Sequence, residues 1–160
     1  MESISGNEVV VFGASGFIGQ PVVDELLKNG FVVHFISRNE LPDKYKTNDH
    51  VKFYRIDIMD LDGVNKFFSE HSFSQMIDLA WYCGAKLHLS LGNLDWTIAT
   101  LNAVKAFSAN GGKKVLVAGS VSEYDFSQGY LVEGKTLLTN KSMYGRAKAA
   151  VHSVVEQYCL

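Results

Sequence analysis

Near the end of the chain stands Tyr144-Gly145-Arg146-Ala147-Lys148. On a helix, residues at i and i+4 share one face, so the Tyr144 phenol and the Lys148 ammonium would lie side by side. A neighbouring positive charge favours loss of a phenol proton. Such a phenol can give or take the proton of an alcohol. This chemistry also needs a hydroxyl that holds the reacting oxygen. Ser120, which closes the apolar run Lys114–Ala118 through Gly119, is the candidate.

A second group lies at the other end of the chain. Val9 to Gly19 reads V-V-V-F-G-A-S-G-F-I-G, with glycines at 13, 16 and 19. An apolar strand that enters a helix through a glycine turn aims helix N–H groups and the positive end of the helix dipole at one spot. That spot suits phosphate. Gly13 is expected to permit the tight turn, Gly16 to admit a pyrophosphate close to the backbone, and Gly19 to let the helix lie close on the sheet. In a dinucleotide site, an acidic residue about 20 positions further on takes the ribose hydroxyls, whereas an arginine suits a 2′-phosphate. Here that place holds Ser37-Arg38, with no carboxylate before Glu40. The charges favour NADP, with NAD as the second choice. Proton transfer at Tyr144 would then accompany hydride transfer to or from a nicotinamide.

The elements that must position these residues alternate. Strands are expected at Glu8–Phe12, Phe31–Ile36, Val51–Ile56, Gln75–Ala80 and Lys114–Ala118. Helices are expected at about Phe17–Asn29, Leu61–His71, Asn93–Ala109 and from Lys141 or Ser142 to Tyr158. Ile18, Val22, Val23, Leu26 and Leu27 give the first helix an apolar face. Leu61, Val64, Phe67 and Phe68 do so for the second, and Leu94, Ile98, Leu101, Val104 and Phe107 for the third. Ala147, Ala150, Val151, Val154 and Val155 mark the fourth. Pro21 fits only the first helical turn, Asn29-Gly30 is a helix stop, and Asp60 is a candidate N-cap. Leu41–Asp49, which contains Pro42, is a loop or a short helical turn, and Trp81–Gly92 and Val121–Lys141 are loops. Regular alternation implies a doubly wound α/β fold, a parallel sheet with helices on both faces. The expected strand order is 3-2-1-4-5, with the ligand crevice where the order reverses, beside strands one and four.

The chain has 160 residues, 47% hydrophobic and 20% charged, with a net charge of −2. That length suits one domain spanning 1–160. The charge gives no field that would favour nucleic acid or an anionic membrane. The short polar stretch Met1–Glu8 carries no signal-peptide pattern, and no apolar run approaches the ~20 residues of a membrane span. Cys83 and Cys159 do not make a disulfide framework, and reduced thiols in a cytoplasmic protein are expected. No metal-ligand spacing is present.

As a set, these motifs resemble the N-terminal part of the NAD(P)-dependent epimerase/dehydratase family, the extended short-chain dehydrogenases/reductases that act on nucleotide sugars. The fold implied is Rossmann-like. G-A-S-G-F-I-G is similar to the family's glycine motif, placing Gly13, Ser15, Gly16, Phe17, Ile18 and Gly19 at the cofactor. Asp57-Ile58 resembles the acidic-apolar pair that holds adenine. Leu79-Ala80, before Trp81, resembles the strand end that lies against the cofactor. Ser120 stands four before Tyr124, as the family's catalytic Ser or Thr does, and Tyr144 and Lys148 match its Tyr-x-x-x-Lys.

The resemblance implies that Tyr144 is the acid/base and that Lys148 tunes it and holds the nicotinamide ribose. It implies that Ser120 binds the reacting oxygen. D-L-A-W-Y, A-G-S-V-S-E-Y-D and M-Y-G-R-A-K are most similar to bacterial sugar-nucleotide reductases and epimerases. Ser122, standing before Glu123, argues against a dehydratase, and Glu123 is left as a salt-bridge or cap residue. Trp96 and Asp95 stand where the family often has an asparagine four residues before a threonine, here Thr100. The expected activity is 4-epimerisation or 4-ketoreduction of a nucleotide sugar. The alternative is a non-catalytic dinucleotide-binding module or a fragment without activity of its own. Family members run to about twice this length, with a C-terminal substrate domain that these residues do not include. A homodimer through helices 93–109 and 142–158 is also implied.

Overall fold

The computed structural model describes residues 7–139 and 141–159. Most of the polar N-terminal stretch, Asn140 of the long loop and Leu160 lie outside the described residues. The chain divides into two compact units. One comprises the chain up to Trp81 with Asn102–Ala118, and the other Tyr82–Leu101 with Gly119 onward.

The first unit holds the sheet. Strands β1 (Glu8–Phe12), β2 (Val32–Ser37), β3 (Val51–Arg55), β4 (Gln75–Asp78) and β5 (Lys114–Val117) run parallel in the order β3-β2-β1-β4-β5. Helices α1 (Gly19–Lys28) and α2 (Leu61–Glu70) join them, with the C-terminal half of α3 (Asn93–Ala109). Side chains alternate across a strand, so β1 feeds both faces. Val9 and Val11 pack with Ala14, Val23, Val33, Phe35 and Tyr45. Phe12 faces the other way, its ring centroid 6.1 Å from that of Phe68 on α2, and Phe68 in turn meets Phe107 of α3. Burial on both sides explains why β1 reads as an unbroken apolar run.

Local signals fix the helix ends. Pro21 stands in the first turn of α1, where its missing N–H has no helical partner. At the other end Phe31 N–H donates to the Leu26 carbonyl and Gly30 N–H to that of Leu27, with Gly30 at φ +78°. This is a Schellman stop, and Gly30 supplies its left-handed residue. Asp60 caps α2, accepting from Gly63 N–H at 3.0 Å.

Some apolar positions differ from expectation. α1 begins two residues later than its pattern suggests, so Ile18 belongs to the turn and is exposed. On α3 Val104 and Phe107 are buried, whereas Leu94 and Ile98 are half exposed.

In the second unit, α4 (Met143–Tyr158) is capped by Ser142, whose Oγ accepts Gly145 N–H at 3.0 Å. It packs against two short turns, Leu87–Leu89 and Val121–Glu123. Gly145, Ala147, Lys148 and Val151 form its buried stripe, while Ala150 and Val154 of the expected face are exposed.

Candidate functional site

The glycine turn is built from three different constraints. Gly13 has φ +71°, and a Cβ there would stand 2.8 Å from both Ala80 N and Leu79 C at the end of β4. Glycine at 13 thus serves both the turn and the close approach of the two strand ends where the order reverses. A Cβ on Gly19 would strike the Gly13 carbonyl oxygen and come within 2.8 Å of Ala14 Cα. Gly19 is therefore demanded by the turn itself, not by helix-to-sheet packing as its place in the motif suggests. Gly16 differs. Its φ is not left-handed, and a Cβ there would meet only the Gly13 oxygen, at 3.1 Å.

The fold places little demand for glycine on position 16, so its open side is free for a ligand. Among the described residues, the N–H groups of Phe17, Ile18 and Gly19 donate to no protein acceptor. Orphan donors at a helix start, beside an open glycine, fit a pyrophosphate. Phe17 and Ile18 are exposed beside them.

The end of β2 adjoins this turn. Ser15 and Ser37 share a hydrogen bond of 2.7 Å between their hydroxyls, and Ser37 Oγ accepts Asn39 N–H at 3.0 Å. Arg38 is 63% exposed, with its guanidinium 3.9 Å from an Asp57 carboxylate oxygen. Asp57 also accepts Met59 N–H at 3.1 Å, and Ile58 is buried. The buried Asp78 of β4 accepts Ala80 N–H at 2.9 Å and so shapes the strand end that meets Gly13. Sequence reasoning missed this role, because an Asp inside an apolar strand gives no sign of which backbone it will hold.

The second unit brings together the acid/base candidates. Tyr144 and Lys148 stand one turn apart on α4, Tyr144 half-buried and Lys148 only 4% exposed. Ser120 precedes the Val121–Glu123 turn that packs on α4. Its Oγ accepts Ser122 N–H at 3.1 Å, and Glu123 accepts Ser120 N–H, completing a capping box. Glu123 is thus a cap residue, and it is also bonded to His152.

A further neighbour was not apparent from sequence. The His88 ring meets Tyr144 edge-on, with centroids 5.5 Å apart and planes at 83°. Its turn is held by Asn93, whose side-chain amide donates to the Leu87 and Ser90 carbonyls at 2.7 and 2.9 Å. Lys86, before this turn, holds a left-handed φ of 62°. Among the described residues, no group of three or more His, Cys, Asp or Glu could hold a metal ion, and no helix is long and apolar enough to cross a membrane. Cys83 and Cys159 are exposed and free of any disulfide.

Fold and site together define a parallel α/β protein of the dinucleotide-binding kind. A profile of the NAD dependent epimerase/dehydratase family matches residues 9–160, and the chain belongs to that family. A UDP-glucose 4-epimerase of Cyamopsis tetragonoloba is 26% identical over 98% of this chain and 47% of its own length. A UDP-glucuronate 4-epimerase of Thermodesulfobacterium geofontis is 31% identical over 72% of this chain and 40% of its own. Among solved structures, the UDP-Glc/GlcNAc 4-epimerase of Campylobacter jejuni shares the fold, with a TM-score of 0.85 at 19% identity, over 95% of this chain and 49% of that one. The Thermus thermophilus UDP-glucose 4-epimerase, solved with NAD, is 26% identical with a TM-score of 0.79, over 94% of this chain and 50% of its own. The chain spans about half the length of the relatives it matches.

Proposed function

We propose that these residues are the dinucleotide-binding and acid/base part of a nucleotide-sugar 4-epimerase or 4-ketoreductase. The burial of Lys148 carries this reading. A Tyr and Lys placed by chance on a surface helix would leave the lysine solvated, since lysine is rarely buried without a specific role or partner. Here the ammonium is withdrawn from water one turn below Tyr144.

A bound nicotinamide dinucleotide would supply the hydride acceptor and donor. The chain's own residues divide the remaining work. The turn at Gly13, Ser15, Gly16, Phe17, Ile18 and Gly19 receives the pyrophosphate. Asp57 and the Ile58 amide receive the adenine, and Leu79, Ala80 and Trp81 line the cofactor. Ser120 holds the reacting sugar oxygen by hydrogen bond. Tyr144 takes the proton of that oxygen on oxidation and returns it on reduction. Lys148 supplies positive charge and a contact to the nicotinamide ribose. These residues span about half the length of the relatives they match, and a sugar-nucleotide pocket is not assigned to them. The kinship to UDP-sugar 4-epimerases makes a UDP-sugar the first substrate to try.

Cofactor choice is read from β2. Positions 37 and 38 hold no carboxylate, and among the described residues Arg38 is bound only to Asp57, across 3.9 Å at an exposed site, where an ion pair is weak. A 2′-phosphate would compete for that guanidinium, so NADP is preferred over NAD. Pairing of two copies through α3 and α4 is also proposed, supported by the half-exposed Leu94, Ile98, Val154 and Tyr158.

The test is Tyr144→Phe in the complete protein, following interconversion of UDP-sugar epimers or reduction of a UDP-4-ketosugar. Loss of turnover with cofactor binding retained supports the reading. Unchanged turnover would favour a non-catalytic binding module.

A further inference from the structure

Glu123 has no part in the proton chemistry, yet it is 3% exposed. One carboxylate oxygen accepts the Ser120 N–H at 2.6 Å, and the other is bonded to His152 Nδ1 at 3.0 Å. The helical turn it caps is three residues long. Capping so short a turn stabilises far less than burying a carboxylate costs, so the cap alone does not account for the burial. What the carboxylate links does account for it. Its first partner is the backbone of the candidate substrate-holding serine. Its second partner stands one turn beyond Lys148, so Tyr144, Lys148 and His152 follow at i, i+4 and i+8 on one face of α4. The same turn spends one lone pair of the Ser120 hydroxyl on Ser122 N–H at 3.1 Å, which orients Oγ.

We propose that Glu123 is a positioning residue, a buried brace that sets the Ser120 hydroxyl relative to the face of α4 that carries Tyr144 and Lys148, with His152 as its anchor. This rests on the catalytic reading given above. The brace does not touch substrate. It acts by fixing the distance between two groups that must meet one sugar oxygen, and a misplacement of about 1 Å in such a pair costs on the order of 100-fold in rate.

The experiment is a set of variants of the complete protein, assayed with a UDP-sugar and by titration with NADH and NADPH. Glu123→Ala is expected to lower kcat about 100-fold while KM and dinucleotide affinity stay within about threefold. Glu123→Gln is the rescue variant. Its amide oxygen accepts Ser120 N–H and its NH2 donates to His152 Nδ1 with the imidazole proton on Nε2, so kcat is expected to recover to within about fivefold of the parent. His152→Ala, at a side chain nearly half exposed, is expected to lower kcat about tenfold. In the 160-residue chain, the Ser120 amide proton reports the brace without any turnover. It is expected far downfield in the parent, given its 2.6 Å bond to the carboxylate, and is expected to move upfield in Glu123→Ala.

Parental kcat in both Glu123→Ala and His152→Ala overturns the brace. So does a fall in dinucleotide affinity that matches the fall in kcat, or a Ser120 amide that does not move. Tyr144→Phe separates the two claims. If it keeps full turnover, the catalytic reading itself fails. If it is inactive while Glu123→Ala is not, only the brace fails.

Discussion

Gly16→Ala separates binding from folding. At this position the backbone is not left-handed, and the added Cβ would meet one atom, the Gly13 carbonyl oxygen at 3.1 Å. That contact must relax by a few tenths of an ångström. Against this small strain, alanine restricts the unfolded chain, an effect worth about 0.4–1 kcal/mol in favour of the fold. The two nearly cancel, so stability should change by no more than about 1 kcal/mol, or about 2–4 °C in Tm for a chain of this size. The ligand meets a different situation. A methyl group would stand on the open side of the turn, where a pyrophosphate must approach the backbone, and about 100-fold or more of affinity should be lost, about 2.7 kcal/mol. Gly13→Ala is the contrast. Its φ of +71° costs about 1–2 kcal/mol for any Cβ, and backbone atoms of Leu79 and Ala80 at 2.8 Å cannot move without shifting β4. Gly13→Ala should therefore lose about 2–4 kcal/mol of stability. The assay is a thermal melt of each variant beside a fluorescence titration with NADH and NADPH. If Gly16→Ala binds as the parent does, or melts as early as Gly13→Ala, the ligand is not the reason for glycine at 16.

Further expectations concern the first unit. His34 is 3% exposed on β2, bonded through Nε2 to Glu8 at 3.3 Å and packed against Tyr54 and Phe73, and burial pushes its imidazole down to about 4. The unfolded chain takes up this proton near pH 6.5 and the folded one does not. Stability should therefore be whole above pH 6.5 and fall as pH drops toward 4, by about 3 kcal/mol at most. Urea melts between pH 7 and 4 should show this slope, and His34→Phe should flatten it. Tyr45, buried beside α1, donates to Asp24 at 2.8 Å and lies near the Gln20 carbonyl at 3.0 Å. Tyr45→Phe should cost about 1–2 kcal/mol by chemical denaturation and leave dinucleotide binding unchanged. Asp60→Ala should remove the α2 cap for about 1 kcal/mol, again without loss of binding. Arg38→Ala should weaken NADPH more than NADH, and equal loss for both would contradict the 2′-phosphate role.

Much of the architecture was legible because each signal is local. β1 reads as buried on both faces from its unbroken valines, Asn29-Gly30 ends α1 through a left-handed glycine, and Asp60 caps α2 three residues before its N–H donor. The strand order followed from alternation. Less legible were features set by residues far apart in the chain. α3 is apolar on more than one side, so periodicity alone did not show that Leu94 and Ile98 would stand half exposed. His34 meets Glu8 only because β1 and β2 pair in a particular register. The sequence leaves Glu123 open between a salt-bridge and a cap role, and His152, 29 residues on, gives no sign that it anchors the same carboxylate. Gly19 was assigned to the right turn for a reason that the backbone contacts replace.

The central claim is that Tyr144 handles the proton of a sugar hydroxyl as hydride leaves the sugar carbon. Its most direct measurement is stopped-flow absorbance on the complete, oxidised-dinucleotide-loaded protein mixed with a UDP-sugar. The near-ultraviolet band of reduced nicotinamide should appear on mixing, and Tyr144→Phe should slow it by about 100- to 10,000-fold without weakening dinucleotide binding. A band that forms at the parental rate in Tyr144→Phe would contradict the account.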